Sequence, residues 1–194
     1  MTKKLLFLLM AILSLSSFNL HAAEHYVVDT KGMHAFVTFK IKHLGYSWLE
    51  GRFNQFSGDF DYDESNSINN RVQINIDTAS IDSNHAERDK HLRSERFFDT
   101  KKFPTATFVS TNWEDKGNGK AILKGKFTLR GITKDISINV NKIGAGSDPW
   151  GGFRRGFEGE TTLHLSDYKM KESAILGAVA EDVQIWLSIE GIRQ

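Results

Sequence analysis

An apolar residue recurs at every second position along much of this chain. Ala35, Val37, Phe39 and Ile41 form one run, and Val72, Ile74 and Ile76 another. Leu123, Phe127 and Leu129 form a third, and Val183, Ile185, Leu187 and Ile189 a fourth. A period of two sets one side of each strand against an apolar interior and the other in water. Many such strands, with only two Pro in 194 residues, predict an all-β antiparallel sheet that closes on itself. A pass along the chain finds roughly eight to ten strands, the range in which a barrel can hold one small ligand.

The first residues read as an export signal. Lys3 and Lys4 precede an apolar run from Leu5 to Phe18, and Leu20-His21-Ala22 offers a small residue for cleavage after Ala22. The run is short for a bilayer span and no stop-transfer pattern follows, so an uncleaved anchor is the lesser alternative. The expected organisation is a signal peptide over 1–22 and one domain over 23–194, of a size that supports a substantial core. Removing the leader's two Lys takes the formal charge from +1 to −1. A near-neutral chain gives no electrostatic case for nucleic acid. With no Cys, disulfides, thiolate metal sites and thiol catalysis are excluded. The expected location is the periplasm, with full secretion as the lesser option.

The alternation predicts a long strand over 25–42, interrupted at Gly32. A turn or short helix at residues 43–48 follows. A slip from odd to even positions between Phe53 and Phe56 predicts a bulge or bend. Further strands are expected over 71–78, 105–112, 121–130, 134–143, 153–165 and 181–192, with a short one near Tyr168 to Lys171. The one helical region is 83–100, where Asn84 and Glu87 have capping-box spacing. Residues 115–119 read as a hairpin turn, and residues 144–152 and 176–180 as loops. Gly58, Gly125 and Gly159 face inward between large neighbours, either letting the sheet coil or leaving room for a guest.

Candidate chemistry is sparse. Asp59, Asp61, Asp63 and Glu64 mimic a calcium loop, but Glu64 stands where that loop needs Gly and Asn70 where it needs Glu. They read as a wet strand face. His85, Glu87, Asp89 and His91 pair at i, i+4 in two directions, which suits a solvated, salt-bridged helix better than a metal site. Alternatively the helix, with Arg88 and its neighbours, holds a ligand's polar head at the barrel mouth. Gly45 to Leu49 lacks the final Gly of a nucleophile elbow, and Gly144-Ala145-Gly146 lacks a phosphate-cradling pattern. No catalytic or metal-binding set is assigned. The inward candidates Phe39, Phe53, Phe56, Phe60, Phe108, Phe127, Leu129 and Phe157 either pack an ordinary core or line a cavity for an apolar ligand.

Several long motifs, in order, resemble the YceI-like family of exported bacterial proteins. They are residues 34–37, 43–48, 84–94, 103–108, 131–134, 148–152 and 155–158. The resemblance implies a lipocalin-like antiparallel barrel with a long internal pore and no established enzymatic activity. It also implies binding of an isoprenoid or similar long-chain amphiphile, polyprenol or isoprenoid quinone, and a link to stress responses. No cofactor is expected beyond that lipid.

The resulting expectation is a carrier whose tail-binding barrel opens at a shared entrance. That entrance would be built from Leu44 to Leu49, the helix over 84–93 and the loop over 148–152. Tyr46, Trp48 and Trp150 would form an amphipathic rim, with His85 and Arg88 beside it. Two other classes stay in play. One is an enzyme on a buried apolar substrate, using His85, Glu87, Asp89 and His91. The other is a module docking on a membrane redox protein. Trp186 on the last strand could mark a homodimer face, or be a single surface aromatic.

Overall fold

A computed structural model describes residues 22–170 and 180–194. Eleven strands form one antiparallel sheet: β1 (Glu24–Val28), β2 (Phe36–His43), β3 (Ser47–Phe53), β4 (Phe56–Tyr62), β5 (Arg71–Asp77), β6 (Ile81–Asp82), β7 (Thr105–Gly117), β8 (Lys120–Leu129), β9 (Ile132–Ser147), β10 (Phe153–His164) and β11 (Asp182–Arg193). One α-helix, α1 (Ala86–Arg93), lies between β6 and β7.

The eleven pieces make eight barrel strands. β11 pairs with β1 through residues 191–193 and with β2 through residues 183–188, so β1 and β2 are two halves of one strand. β3 and β4 are likewise halves of the second, pairing with β2 and β1. β6 and β5 make the third, beside β3 and β4. From there the sheet runs β5, β7, β8, β9, β10, β11, and the β1–β11 pairing closes the ring. Every barrel strand neighbours the next in sequence, an up-and-down barrel of the lipocalin-like kind expected.

The strand expected over 25–42 is thus real but divided, and its break is the whole 29–35 segment rather than Gly32 alone. The odd-to-even slip at 53–56 is the corner between β3 and β4. Residues 144–147, expected in a loop, continue β9 and pair with residues 153–156. Glycine hides strand alternation because it has no side chain to alternate, yet its backbone pairs like any other. The short strand expected near Tyr168 is instead a 3₁₀ turn over Leu165–Tyr168, ended by Lys169 in the left-handed region. Of the loop expected over 176–180, all but Ala180 lies outside the described residues.

The helix is eight residues, shorter than the 83–100 reading. Its cap is His85, whose Nδ1 accepts the Arg88 N–H at 3.2 Å. Asn84 sits at φ 61°, a conformation its short polar side chain tolerates. The capping box is therefore not formed. Beyond Ser94 the chain turns so that Phe97 and Phe98 pack against the core, which ends the helix early.

Connections alternate between the barrel's ends. The first (44–46), third (83–104) and fifth (130–131) lie at one end, as do the described residues of the seventh (165–170 and 180–181). The second (63–70), fourth (118–119) and sixth (148–152) lie at the other.

Candidate ligand site

Inward residues along the eight strands enclose an apolar cavity of about 530 Å³, within the range of small-molecule sites. Phe39, Phe53, Phe60, Phe108, Phe127, Leu129 and Phe157 line it, joined by Tyr62, Trp113, Ile136, Ile138, Leu187 and Ile189. Phe56 packs against the core without lining the cavity.

Two of the three inward glycines are filled by neighbours rather than left open. A Cβ on Gly125 would lie 2.5 Å from the Phe108 ring and 2.6 Å from the Val109 carbonyl. One on Gly58 would meet the Gln73 carbonyl at 2.4 Å and Ile74 at 2.5 Å. Gly51 and Gly191 accept the rings of Phe39 and Phe60 in the same way. Gly159 differs: it lines the cavity, and a Cβ there meets only Ile138 and Leu187 side chains, at 3.1 and 3.3 Å.

One end of the cavity has an aromatic floor. Phe157 meets Phe60, Tyr62 and Trp113 with ring centroids 5.3–5.6 Å apart, and Tyr26 stacks on Phe60 at 4.8 Å. The Trp113 indole N–H is buried there with no hydrogen-bond partner among the described residues. Arg155 caps the floor from outside, 4.4 Å from the Tyr62 ring centroid. Its Nε donates to the Tyr26 hydroxyl at 3.3 Å, and that hydroxyl donates to Glu24 at 2.5 Å. Burial is the largest influence raising the Tyr26 hydroxyl's pKa, and the same hydrogen bond holds the Glu24 carboxyl low. Lys142 joins this cap, 2.8 Å from Asp115. Burial opposes its charge, but hydrogen bonds with Asp115 and Tyr62 raise its pKa overall. Period two places Arg155 on the same face as Phe157, a signal the sequence reading passed over.

The opposite end carries the mouth. There the lining includes His43, Arg88, His91, Ser94 and Arg96, of which His91 and Arg96 are exposed. Helix α1 is fastened beside the mouth by its own charged groups. Asp89, buried, accepts from the Ser83 N–H at 2.9 Å and from its hydroxyl at 2.5 Å. Arg88 donates to the Ser83 hydroxyl at 2.7 Å and carbonyl at 2.5 Å. Arg93 donates to the carbonyls of Ala79 and Ile81 at 2.7 and 2.6 Å. These bonds matter because β6 has no ladder partner on the β7 side. A guanidinium fork stands in for the missing strand.

This placement corrects the shared entrance. The 44–46 turn and α1 do lie together at the mouth, but the 148–152 loop lies at the floor end. Trp150, 77 % exposed, is therefore no part of the mouth's rim. The reason is parity: it sits on the sixth connection, and the mouth is built from odd ones. Tyr46 and Trp48 stand exposed at the mouth end without lining the cavity, and His85 serves as the helix cap. The acid–base pairs imagined for an enzyme do not form. Asp89 is committed to Ser83, and Glu87 faces Lys90 at 3.7 Å in solvent.

The 148–152 loop belongs instead to a clamp around Arg154. This guanidinium reaches Asp29 at 2.6 Å, Asp148 at 2.8 Å and Glu190 at 2.5 Å, with His34 3.0 Å from Asp29. Asp29, His34 and Glu190 come close enough to suggest a metal site. Arg154 already supplies their cation. Burial would raise the Asp29 carboxyl, but hydrogen bonds from His34, Arg154 and the Gly32 N–H hold it down at about 2. The acids 59–64 likewise make no calcium loop. Asp63 accepts from Ser65, Asn66 and Asn69, tying off the second connection. Trp186 donates its indole N–H to Glu158 at 2.7 Å.

A family model described as YceI-like domain matches residues 26–191. A UPF0312 protein of Shewanella sp. (strain ANA-3) is 51 % identical over 173 residues, covering 89 % of this chain and 90 % of the relative. One from Shewanella putrefaciens is 48 % identical over the full length of both. Among solved structures, Burkholderia cenocepacia BcnA superposes with a TM-score of 0.74 at 26 % identity, covering 84 % of this chain and 98 % of that one. A domain described as polyisoprenoid binding, from Saccharophagus degradans, shares the fold with a TM-score of 0.62 at 15 % identity, over 87 % and 98 % of the two chains. A family match spanning the barrel from β1 to β11, with relatives near half-identical along it, makes this chain a member of the YceI-like domain family.

Proposed function

We propose that the protein is an exported, periplasmic carrier that sequesters a long-chain isoprenoid lipid, a polyprenol or isoprenoid quinone, without chemical turnover. The observation that carries this reading is the cavity itself: predominantly apolar, floored by aromatic rings, with His43, Arg88, His91, Ser94 and Arg96 gathered at its mouth. The tail lies between the inward Phe, Ile, Val and Leu residues with its end on the Phe157–Trp113 floor. The head stays among Arg88, His91 and Arg96. Each buried methylene contributes about 0.8 kcal/mol, so such a channel needs few polar contacts to bind tightly, and selects by length and shape. The polyisoprenoid-binding description of a similarly folded domain supports this choice of ligand.

The test is native mass spectrometry of the processed protein purified from its own periplasm, followed by organic extraction. A stoichiometric adduct of isoprenoid mass is expected. A bare polypeptide mass, with no uptake of added quinone or polyprenol, overturns the reading.

A further inference from the structure

The first connection is built against its own local preference. Tyr46 N–H donates to the His43 carbonyl at 3.0 Å, and the two central residues, Leu44 and Gly45, both have positive φ, 50° and 81°. Asn or Gly suits the first of these positions, whereas a bulky Leu there is strained. Yet Leu44 is 46 % exposed and Tyr46 86 % exposed, so the turn leaves Leu44 half in solvent and Tyr46 almost wholly so. Backbone strain spent on presenting apolar groups to solvent points to something outside the chain that receives them.

The surroundings say what it is. Trp48, 44 % exposed, faces outward on β3 with Lys40 and Lys42 ammoniums 5.1 and 5.6 Å from its ring. Exposed apolar tip, amphipathic indole and flanking Lys are the side-chain set of a bilayer interface. The third connection, at the same end, holds six Lys and Arg against four Asp and Glu over residues 83–104. The opposite end also exposes a Trp, but Trp150 lies 5.5 Å from Arg154, within the cluster of Asp29, Asp148 and Glu190. The floor end exposes Ile68 and Ile143 as well, but among the described residues the mouth end is where an exposed apolar tip lies beside a Trp ring flanked by two Lys ammoniums.

We propose that the mouth end docks on an anionic lipid bilayer, with Leu44 and Tyr46 entering the headgroup layer and Trp48, Lys40 and Lys42 seated at its surface. This extends the carrier reading, since it sets the mouth against the phase in which a long-chain lipid is dissolved.

The experiment is co-sedimentation of the processed protein with vesicles of phosphatidylethanolamine and phosphatidylglycerol (3:1), against phosphatidylcholine vesicles. Binding to the anionic vesicles alone is expected, falling as salt rises. K40E/K42E weakens partition at least 10-fold, from about 5-fold per Lys near a charged surface. Leu44→Asn is the sharper variant. Relieving the strained φ raises the melting temperature by a few degrees while vesicle binding falls several-fold, two readouts that a merely structural role would move together. Trp150→Ala leaves binding unchanged.

Equal binding to both vesicle types, or equal loss in Trp150→Ala, overturns the proposal. So does binding to native membranes that is lost once their proteins are digested, which would assign the tip to a protein partner. Extraction of the same samples separates the two readings. Lipid-loaded protein that ignores vesicles sinks the docking alone, and vesicle-bound protein with a permanently empty cavity sinks the carrier alone.

Discussion

Gly125 and Gly159 are both inward glycines of neighbouring chemistry, and a methyl group added to each should have opposite effects. At Gly159 the new Cβ meets side chains alone, the Ile138 Cγ2 methyl at 3.1 Å and Leu187 Cδ1 and Cβ at 3.3 and 3.5 Å, and these need give by only a few tenths of an ångström into the cavity. Replacing Gly within a strand gains about 0.5–1 kcal/mol of backbone entropy, and the methyl is buried, so Gly159→Ala should stabilise the lipid-free protein by about 1 kcal/mol. At Gly125 the Cβ meets the Phe108 ring and the Val109 backbone carbonyl at 2.5–2.6 Å, and backbone cannot step aside. Gly125→Ala should cost about 2 kcal/mol. In a domain of this size those figures correspond to melting shifts of about +3 and −6 °C. Gly159→Leu then tests the ligand. Its four side-chain carbons displace about as many from the tail, which at ~0.8 kcal/mol each weakens binding by about 3 kcal/mol, on the order of a hundredfold. The assay is urea unfolding of delipidated protein, with quinone binding followed by titration. Shifts of the same sign at both glycines, or undiminished lipid uptake by a folded Gly159→Leu protein, would refute the distinction between filled and open glycines.

Acid titration probes the clamp. A carboxyl held at about 2 in the fold, against 3.8 ordinarily, contributes stability in full above about pH 4 and loses it as pH falls toward 2. Asp29→Asn should therefore cost about 1–3 kcal/mol at pH 7 and flatten the acid limb of the stability curve; an unchanged limb counts against the clamp. Trp113 is the one buried Trp of four and lines the cavity floor, so added isoprenoid quinone should quench the blue edge of the emission. Trp113→Phe should abolish that response, and quenching that persists would move the ligand elsewhere. Arg93→Met should destabilise by about 1–3 kcal/mol by stripping the Ala79 and Ile81 carbonyls of their donors, with faster amide exchange confined to residues 79–82 and α1. Exchange rates that rise evenly across the barrel would argue against a local seam.

The barrel was legible because period two is a local signal: Val37, Phe39 and Ile41 announce their face without reference to any partner. The cavity residues followed from the same rule, and Phe39, Phe53, Phe60, Phe108, Phe127, Leu129 and Phe157 all turn inward. What escaped was long-range. Trp150 was assigned to the mouth because an exposed aromatic on a Gly-rich loop resembles Tyr46 and Trp48 locally, whereas only counting connections separates them. The early end of α1 depends on Phe97 and Phe98 being drawn into a core that no window of sequence displays. Phe56 has the right parity, but the corner after Phe53 aims it away from the void. Arg155 and Lys142 were missed because charge at an inward position reads as an error until the aromatic rings beneath them are seen.

The chain's two described extremities meet: the Gln194 N–H donates to the His25 carbonyl at 3.0 Å, and both lie at the floor end. An apolar leader still attached ahead of Glu24 would hold the molecule like a cup fixed by its base, rim turned away from the bilayer that anchors it. If the export and docking proposals hold, severing that leader would free the cup to invert, and a fusion that re-tethers either extremity to a membrane should leave the barrel intact and unable to fill.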